Sequence, residues 1–281
     1  MKMNGRFIKN SLLLIGCFIY SCIAAQPVPN IVVIVADDLG YGDLGCYGNK
    51  TTRTPHLDKM AGNGIRFTQA YAAAPVCTPS RTAFMTGRYP ARTTVGLYEP
   101  LDWTAADSLI GLAPSTPSLP ALLRQSGYTS HLTGKWHLGF TAATSPLANG
   151  FDSFFGYNGG GIDYVSHTDP NGIPDLFIDR QTVQLEGYMT HLLTNDAVSF
   201  LYRKHQQPFF LSIQFNAPHW PWQAPGDSAY PLGDKEWKEN GSPQKYAAMV
   251  ASMDSAIGRI MQTLQATGLS KNTMVIFTRD N

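Results

Sequence analysis

The chain has 281 residues, of which 43% are hydrophobic and 15% charged, with a formal net charge of +1. That is an ordinary globular composition, long enough for one large α/β domain or two small ones. It gives no global basic field for nucleic acid or other polyanions, and no block reads as disordered, low-complexity or repeated.

Lys2, Arg6 and Lys9 form a basic start, Leu12 to Ile23 an apolar stretch, and Ile23-Ala24-Ala25 a small-residue cleavage site. Residues 1–25 therefore read as a signal peptide, and the product as exported, periplasmic or secreted. The apolar run is short for a membrane span. Leu14-Ile15-Gly16-Cys17 resembles a bacterial lipobox, but it would leave a very short apolar region, so plain cleavage before Gln26 is preferred. Cleavage removes three basic residues and no acidic one, which takes the net charge from +1 to −2. It also removes Cys17 and Cys22 and leaves Cys46 and Cys77.

Asn30 to Ala36 is a continuous apolar run rich in β-branched residues, which predicts a parallel strand buried on both faces. Asp37 and Asp38 stand at its C-terminal end, where α/β sheets place their ligands. Two adjacent carboxylates there must be solvated or neutralised by a cation. Leu39 to Asn49 reads as a Gly-rich loop that puts Cys46 near the same rim. Thr54 caps a helix with Pro55 in its first turn, and Gly62 to Gly64 end it. Ile65 to Tyr71 alternates, which predicts a strand leading into Pro75 to Gly87. There Cys77 and Arg81 are separated by Thr78, Pro79 and Ser80. Pro79 suits the first turn of a helix, which makes Cys77 or Thr78 the cap. The Cys77 side chain then sits at a positive helix end, and Arg81, one turn on, adds a planar fork for anionic oxygens. On these residues alone Cys77 is open to three readings: half of a disulfide, a thiol nucleophile, or an inert buried thiol.

Ser118 caps a helix that runs to Ser126, with Leu119, Leu122 and Leu123 on its buried face. Tyr128 to Leu132 predicts a strand, and Gly134 to Gly139 a loop at its C-terminal end. Lys135 and His137 lie two apart in that loop and share a side if it is extended. Gly150 to Pro174 shows no period and reads as a loop, with Asp163, His167 and Asp169 as turn residues before ligands. Glu186 to His205 is an amphipathic helix that leaves His191 on its solvated face. Pro208 to Phe215 predicts a second buried strand, followed by Asn216 to Pro225, where His219 is held between Pro218 and Trp220-Pro221. Tyr246 to Thr267 is a long core helix, Thr273 to Thr278 the last strand, and Asp280-Asn281 follow it.

The motif Cys77-Thr-Pro-Ser-Arg81, with Thr86-Gly87-Arg88 after it, resembles the type I sulfatase signature. Gly134-Lys-Trp-His-Leu-Gly139 resembles the second sulfatase signature, with a slightly loose match just before it. Pro218-His-Trp-Pro221 and Asp280-Asn281 resemble further family motifs, and Arg279 departs from the small residue common before the Asp. The resemblance spans nearly all of residues 30–281. It implies an alkaline phosphatase-like fold, a large mostly parallel sheet flanked by helices, over residues 26–281, with the family's downstream lysine and smaller C-terminal domain outside this sequence. It implies oxidation of Cys77 to Cα-formylglycine by a formylglycine-generating or anaerobic sulfatase-maturing enzyme, hence no Cys46–Cys77 disulfide. It implies a calcium site, with magnesium second, made by Asp37, Asp38, Cys77, Asp280 and Asn281. Cys77, Arg81, Lys135, His137 and His219 are the implied catalytic residues. The implied activity is hydrolysis of sulfate esters, including those of polysaccharides. A phosphonate or phosphodiester hydrolase of the same superfamily is the second reading, and a non-catalytic remnant the third.

Overall fold

The computed structural model describes residues 28–98, 100–102, 109–230 and 240–281. The expected signal peptide lies outside the described residues. Among them no helix is long and apolar enough to cross a membrane.

One seven-stranded sheet organises the chain. Its strands are β1 (Asn30–Ala36), β2 (Thr129–Lys135), β3 (Ser153–Tyr157), β4 (Phe177–Ile178), β5 (Gln181–Thr182), β6 (Phe209–Gln214) and β7 (Thr273–Arg279). Their order is β5-β4-β3-β2-β6-β1-β7. β1 pairs in parallel with β6 on one side and β7 on the other, and β2 in parallel with β6 and β3. The two short strands β4 and β5 are antiparallel. The mostly parallel α/β sheet expected from the sequence is what forms.

The helices cover both faces, and β1 shows why its sequence is apolar without alternation. Val32 and Ile34 enter a core shared with α4 (Met189–Tyr202) and α5 (Pro243–Ala266), through Leu193, Ala197, Met253 and Ile257. Val33 and Val35 point the other way, into a core with Met85 of α2 (Cys77–Thr86) and with Leu119 and Leu123 of α3 (Leu119–Gln125). Successive strand residues face opposite sides, so a sheet covered twice needs apolar residues at every position.

Helix α1 (Pro55–Asn63) is capped from outside. Thr54 is its N-cap residue, but its hydroxyl donates to Asp58 Oδ1 and so does not cap the helix. Instead Asp254 of α5 accepts from the N–H groups of His56 (3.1 Å) and Leu57 (2.8 Å). Asp254→Ala would strand the buried Leu57 donor and the part-buried His56 donor. It is expected to cost about 1–3 kcal/mol, read as a lower urea midpoint at unchanged slope.

Several expectations are corrected. Ile65 to Tyr71 is no strand: no neighbour among the described residues pairs with it, and Ile65 (84% exposed) and Tyr71 (83%) point into solvent. Alternation alone cannot make a strand without a partner ladder. Gly150 to Pro174 is not all loop, since Ser153–Tyr157 forms β3 beside β2. Leu122 is 49% exposed, because the seven-residue α3 turns only Leu119 and Leu123 inward. The long helix begins earlier, with Ser242 accepting from the Lys245 N–H and Pro243 in the first turn.

Candidate active site

The parallel strands bring their C-terminal ends to one rim. Asp37 and Asp38 follow β1, Asp280 and Asn281 follow β7, and Lys135 ends β2. The ends are laced together: the Asp280 N–H donates to Ala36 O (3.1 Å) and the Asp37 N–H to Ala217 O (3.1 Å). Helix α2 starts above this rim. Its N-cap is Val76, one residue earlier than expected, so Cys77 is the first helical residue and Pro79 still lies in the first turn. Cys77 thereby sits over the strand ends. One ligand atom from each of Asp37, Cys77 and Asp280 lies within 4.8 Å of the others, and all three residues are buried.

Arg81, one turn into α2, ties the rim together. Its Nη2 meets Asp37 Oδ1 at 3.0 Å and Asp280 Oδ2 at 2.9 Å. Its Nη1 donates to Gln214 Oε1 at 2.9 Å and to Lys135 O at 3.3 Å. One guanidinium thus spans the ends of β1, β7, β6 and β2. Lys135 Nζ lies 2.6 Å from Asp37 Oδ2. Ser80 Oγ donates to the Asp280 carbonyl. Two cations and two carboxylates are packed together out of water, an arrangement that costs desolvation and is usually kept for function.

The charge states follow from burial and pairing. Burial pulls the Arg81 guanidinium down, but Asp280 and Asp37 outweigh it and hold it above its ordinary value. Burial acts likewise on Lys135, and Asp37, Cys77 and Asp280 together outweigh it. Burial and the nearby charge of Asp37 push the Asp280 carboxyl up to about 6, against the pull of Arg81. Burial pushes the Cys77 thiol up to about 11, with Lys135 only partly opposing it. Cys77 is therefore a neutral thiol at pH 7, which disfavours the thiolate-nucleophile reading. Cys46 and Cys77 are both free, as expected.

The two histidines are neutral. Burial, then the charge of Lys135, holds His137 well below its ordinary value. Burial, then Lys135, takes His219 down to about 4, with Asp38 partly opposing. His137 Nε2 lies 2.9 Å from Leu101 O, so that nitrogen carries the proton and the buried Nδ1 is a free lone pair. The sequence argument that Lys135 and His137 share one side of an extended segment fails, because β2 ends at Lys135 and His137 has φ +54°. A hydrogen-bonded turn places it instead. Thr78 Oγ1 bonds His137 O at 3.4 Å and accepts the Leu101 N–H at 3.0 Å. His219 Nδ1 donates to Trp220 O, which leaves Nε2 as an acceptor 3.6 Å from Asp38 Oδ2. Its loop is fixed by the buried Tyr164 hydroxyl, within 2.9 Å of both Asn216 O and His219 O.

Asp38 adopts φ +58°, a conformation Asp and Asn tolerate better than most residues. It accepts Asn281 Nδ2 at 2.8 Å, and its own N–H donates to Asp280 Oδ1 at 3.2 Å. Asn281 Oδ1 has no partner among the described residues. The gathered carboxylate oxygens of Asp37 and Asp280 are hard donors of the kind a Ca²⁺- or Mg²⁺-type ion takes; Asp38 lies outside that cluster, and the Asn281 oxygen is a further hard donor beside it. Cys77 Sγ is the third member of that cluster.

All the expected site residues lie at this rim. Asp163, His167 and Asp169 serve turns, as the sequence suggests. Asp163 Oδ1 accepts the Val165 and Ser166 N–H groups, Asp169 Oδ1 those of Asn171 and Ile173, and His167 Nε2 bonds Gly187 O. Gln214 was missed. It is the polar end of the apolar β6 run, and an uncharged side chain there carries no signal of its own until Arg81 is placed beside it.

The sequence model described as Sulfatase matches residues 29–281. Rat N-acetylgalactosamine-6-sulfatase is 37% identical over 275 residues, 92% of this chain and 50% of that protein. Rat steryl-sulfatase is 31% identical over 344 residues, 96% of this chain and 58% of the relative. The crystal structure of Ps i-CgsB superimposes with a TM-score of 0.75 at 32% identity, covering 90% of this chain and 58% of that one. A phosphonate monoester hydrolase of Agrobacterium radiobacter, at 18% identity and a TM-score of 0.62, shares the fold alone. The chain spans about half the length of the curated relatives it matches. Its fold is alkaline phosphatase-like, and the chain belongs to the sulfatase family.

Proposed function

We propose that this chain carries the catalytic half-site of an enzyme that hydrolyses sulfate esters, working through a formylglycine made from Cys77. One observation carries the reading: Cys77 at the start of α2 lies within 4.8 Å of Asp37 and Asp280 atoms while Arg81 binds both of those carboxylates and Lys135 binds Asp37. An anionic ester needs such cations near its oxygens, and a nucleophile needs to stand beside them. The neutral thiol supports the oxidised residue over the thiolate.

Asp37, Asp38, Asp280 and Asn281 would hold the divalent cation, which we assign as calcium on the family resemblance, and the ion would supply charge neutralisation at a sulfate oxygen. The hydrated aldehyde at position 77 supplies two hydroxyls, one to attack sulfur and one through which sulfate is later expelled. Arg81 and Lys135 hold negative charge on the oxygens during both steps. His137 Nδ1, buried and unpartnered, takes the proton of the second hydroxyl. His219 Nε2, unprotonated at rest, relays the proton released by the attacking hydroxyl to the leaving alcohol; burial and Lys135 oppose its protonated form and Asp38 favours it.

The relatives suggest the alcohol. One neighbouring structure is titled as a complex with k-i-k-neocarrahexaose, and one relative is named for N-acetylgalactosamine 6-sulfate. A sulfated saccharide is therefore the proposed substrate class. Formation of the aldehyde requires a maturation enzyme as partner, and the expected signal peptide places the reaction outside the cytoplasm.

Peptide mass spectrometry across Cys77, on protein from its own host, tests the nucleophile. Loss of sulfur and gain of an aldehyde oxygen is expected; an intact thiol would overturn it. Parallel rates on an aryl sulfate and an aryl phosphodiester test the substrate. Faster diester cleavage would favour the phosphonate and phosphodiester reading, and no turnover with the aldehyde present would favour a non-catalytic remnant.

A further inference from the structure

Beyond β3 the chain runs Asn158-Gly159-Gly160-Gly161, and this strap passes both histidines. A Cβ on Gly160 would stand 2.8 Å from His137 Cε1 and 2.9 Å from its Nε2, so the backbone approaches that ring closely. A Cβ on Gly161 would meet Trp220 at 3.4 Å and His219 Cε1 at 3.6 Å. Only glycine permits the first approach.

The strap is held at its start by one carboxylate. Asp175 Oδ1 accepts the Asn158 N–H at 3.2 Å, and Oδ2 accepts the Gly159 N–H at 2.8 Å. Two oxygens of one planar group on two successive N–H groups fix the orientation of the peptide between them. Asp175 is itself anchored. Its N–H donates to His167 O at 3.0 Å, and Thr168 and Pro174 bridge the turn that carries it. Beyond the glycines, Asp163 Oδ2 accepts Gln223 Nε2 at 2.8 Å and the Tyr230 N–H at 2.9 Å, which ties the strap's exit to the His219 loop.

We infer that Asp175 is a positioning residue for His137 and His219, acting through the Asn158–Gly161 strap that it holds against their rings. A buried carboxylate is a costly way to satisfy two N–H groups, since burial pushes it up to about 7 despite both bonds. What it gives in return is a two-point hold on successive N–H groups next to the acid–base residues. The inference names a function for the strap that rests on the roles proposed for the two histidines.

The test is the ring ¹⁵N spectrum of the full chain, labelled at histidine, in wild type and Asp175→Asn at one pH. An amide keeps the shape but turns one acceptor into a donor facing an N–H group. The His137 and His219 ring signals are expected to shift and broaden, while those of His56, His131, His191 and His205 stay in place. Unmoved His137 and His219 signals beside a lowered melting temperature would overturn the inference, as would movement of all rings together. Asp175→Glu, which keeps the charge on a longer arm, serves the same comparison if the amide variant does not fold; failure of both to fold would assign Asp175 to folding alone. The readout needs no turnover, so it stands or falls separately from the sulfatase reading. In matured enzyme, Asp175→Asn is expected to lower kcat about tenfold with KM within about twofold, the mark of misplaced groups in place of lost binding.

Discussion

Replacing Cys77 by alanine is expected to remove sulfate-ester turnover, by on the order of 10⁴–10⁶-fold in kcat, while the chain still folds. The side chain is small, and it shares its burial with neighbours that hold α2 without it. Arg81 anchors the helix to four strand ends, and Ser80 bonds the Asp280 carbonyl. Loss of one sulfur therefore costs little packing, on the order of 1 kcal/mol. Cys77→Ser separates the chemistry further. Expressed without a maturation enzyme, its single hydroxyl can attack sulfur once but has no second hydroxyl through which to expel the sulfate. The expected result is at most one equivalent of alcohol released, with a sulfuryl group left on the peptide that carries residue 77. The measurement is a rapid-quench burst followed by peptide mass spectrometry. Continued turnover by Cys77→Ala at more than a hundredth of the wild-type rate, about 2.7 kcal/mol of barrier, would remove Cys77 from the mechanism.

How much of this was legible in the sequence depends on whether a residue's role is local. β1 reads straight from its apolar run, because a strand buried on both faces cannot alternate, and its end marks Asp37 and Asp38 at the rim. Cys77, Arg81, Lys135, His137, His219, Asp280 and Asn281 were legible through short motifs, and the sheet gathers them at one edge. What stayed hidden was set by partners far along the chain. Ile65 to Tyr71 alternates like a strand, yet whether it pairs depends on a neighbour the window does not contain. β3 was lost within a glycine-rich stretch because Gly156 breaks its period, although the strand packs close on Gly134 of β2. Gln214 and Asp175 act only through what they touch, Arg81 and the strap, so no spacing announces them. His137 shows the reverse. Its place was found from a motif, but the extended geometry offered for it was wrong, because a turn residue with positive φ has no strand face.

Arg81→Met is expected to give the largest loss of stability at the site, about 3–5 kcal/mol at pH 8 in the presence of a chelator. Methionine fills most of the same space, so the loss reports charge, not a cavity. Asp37 would keep Lys135 at 2.6 Å, but Asp280 would lose the cation at 2.9 Å and stay buried beside a second carboxylate. The pH dependence follows from the direction of its shift. The Asp280 carboxyl is already raised to about 6 in the folded chain, by burial first and Asp37 next, and Arg81 is what opposes the rise. A carboxyl raised on folding lends stability below its unfolded value, near 4, and that stability is lost as pH rises through the folded value. Removing Arg81 raises the folded value further, so the variant goes on losing stability above pH 6, where the wild type has levelled. The gap between the two is therefore expected to be small at pH 5, where Asp280 is mostly protonated in both, and to widen toward pH 8. Urea unfolding at the two pH values measures it, and calcium should narrow the gap at pH 8 if Asp280 is a ligand, since the ion then takes over the neutralising charge. An equal loss at both pH values would mean that Arg81 acts through packing and its bonds to Gln214 and Lys135, and that the rim carboxylates are balanced by some other group.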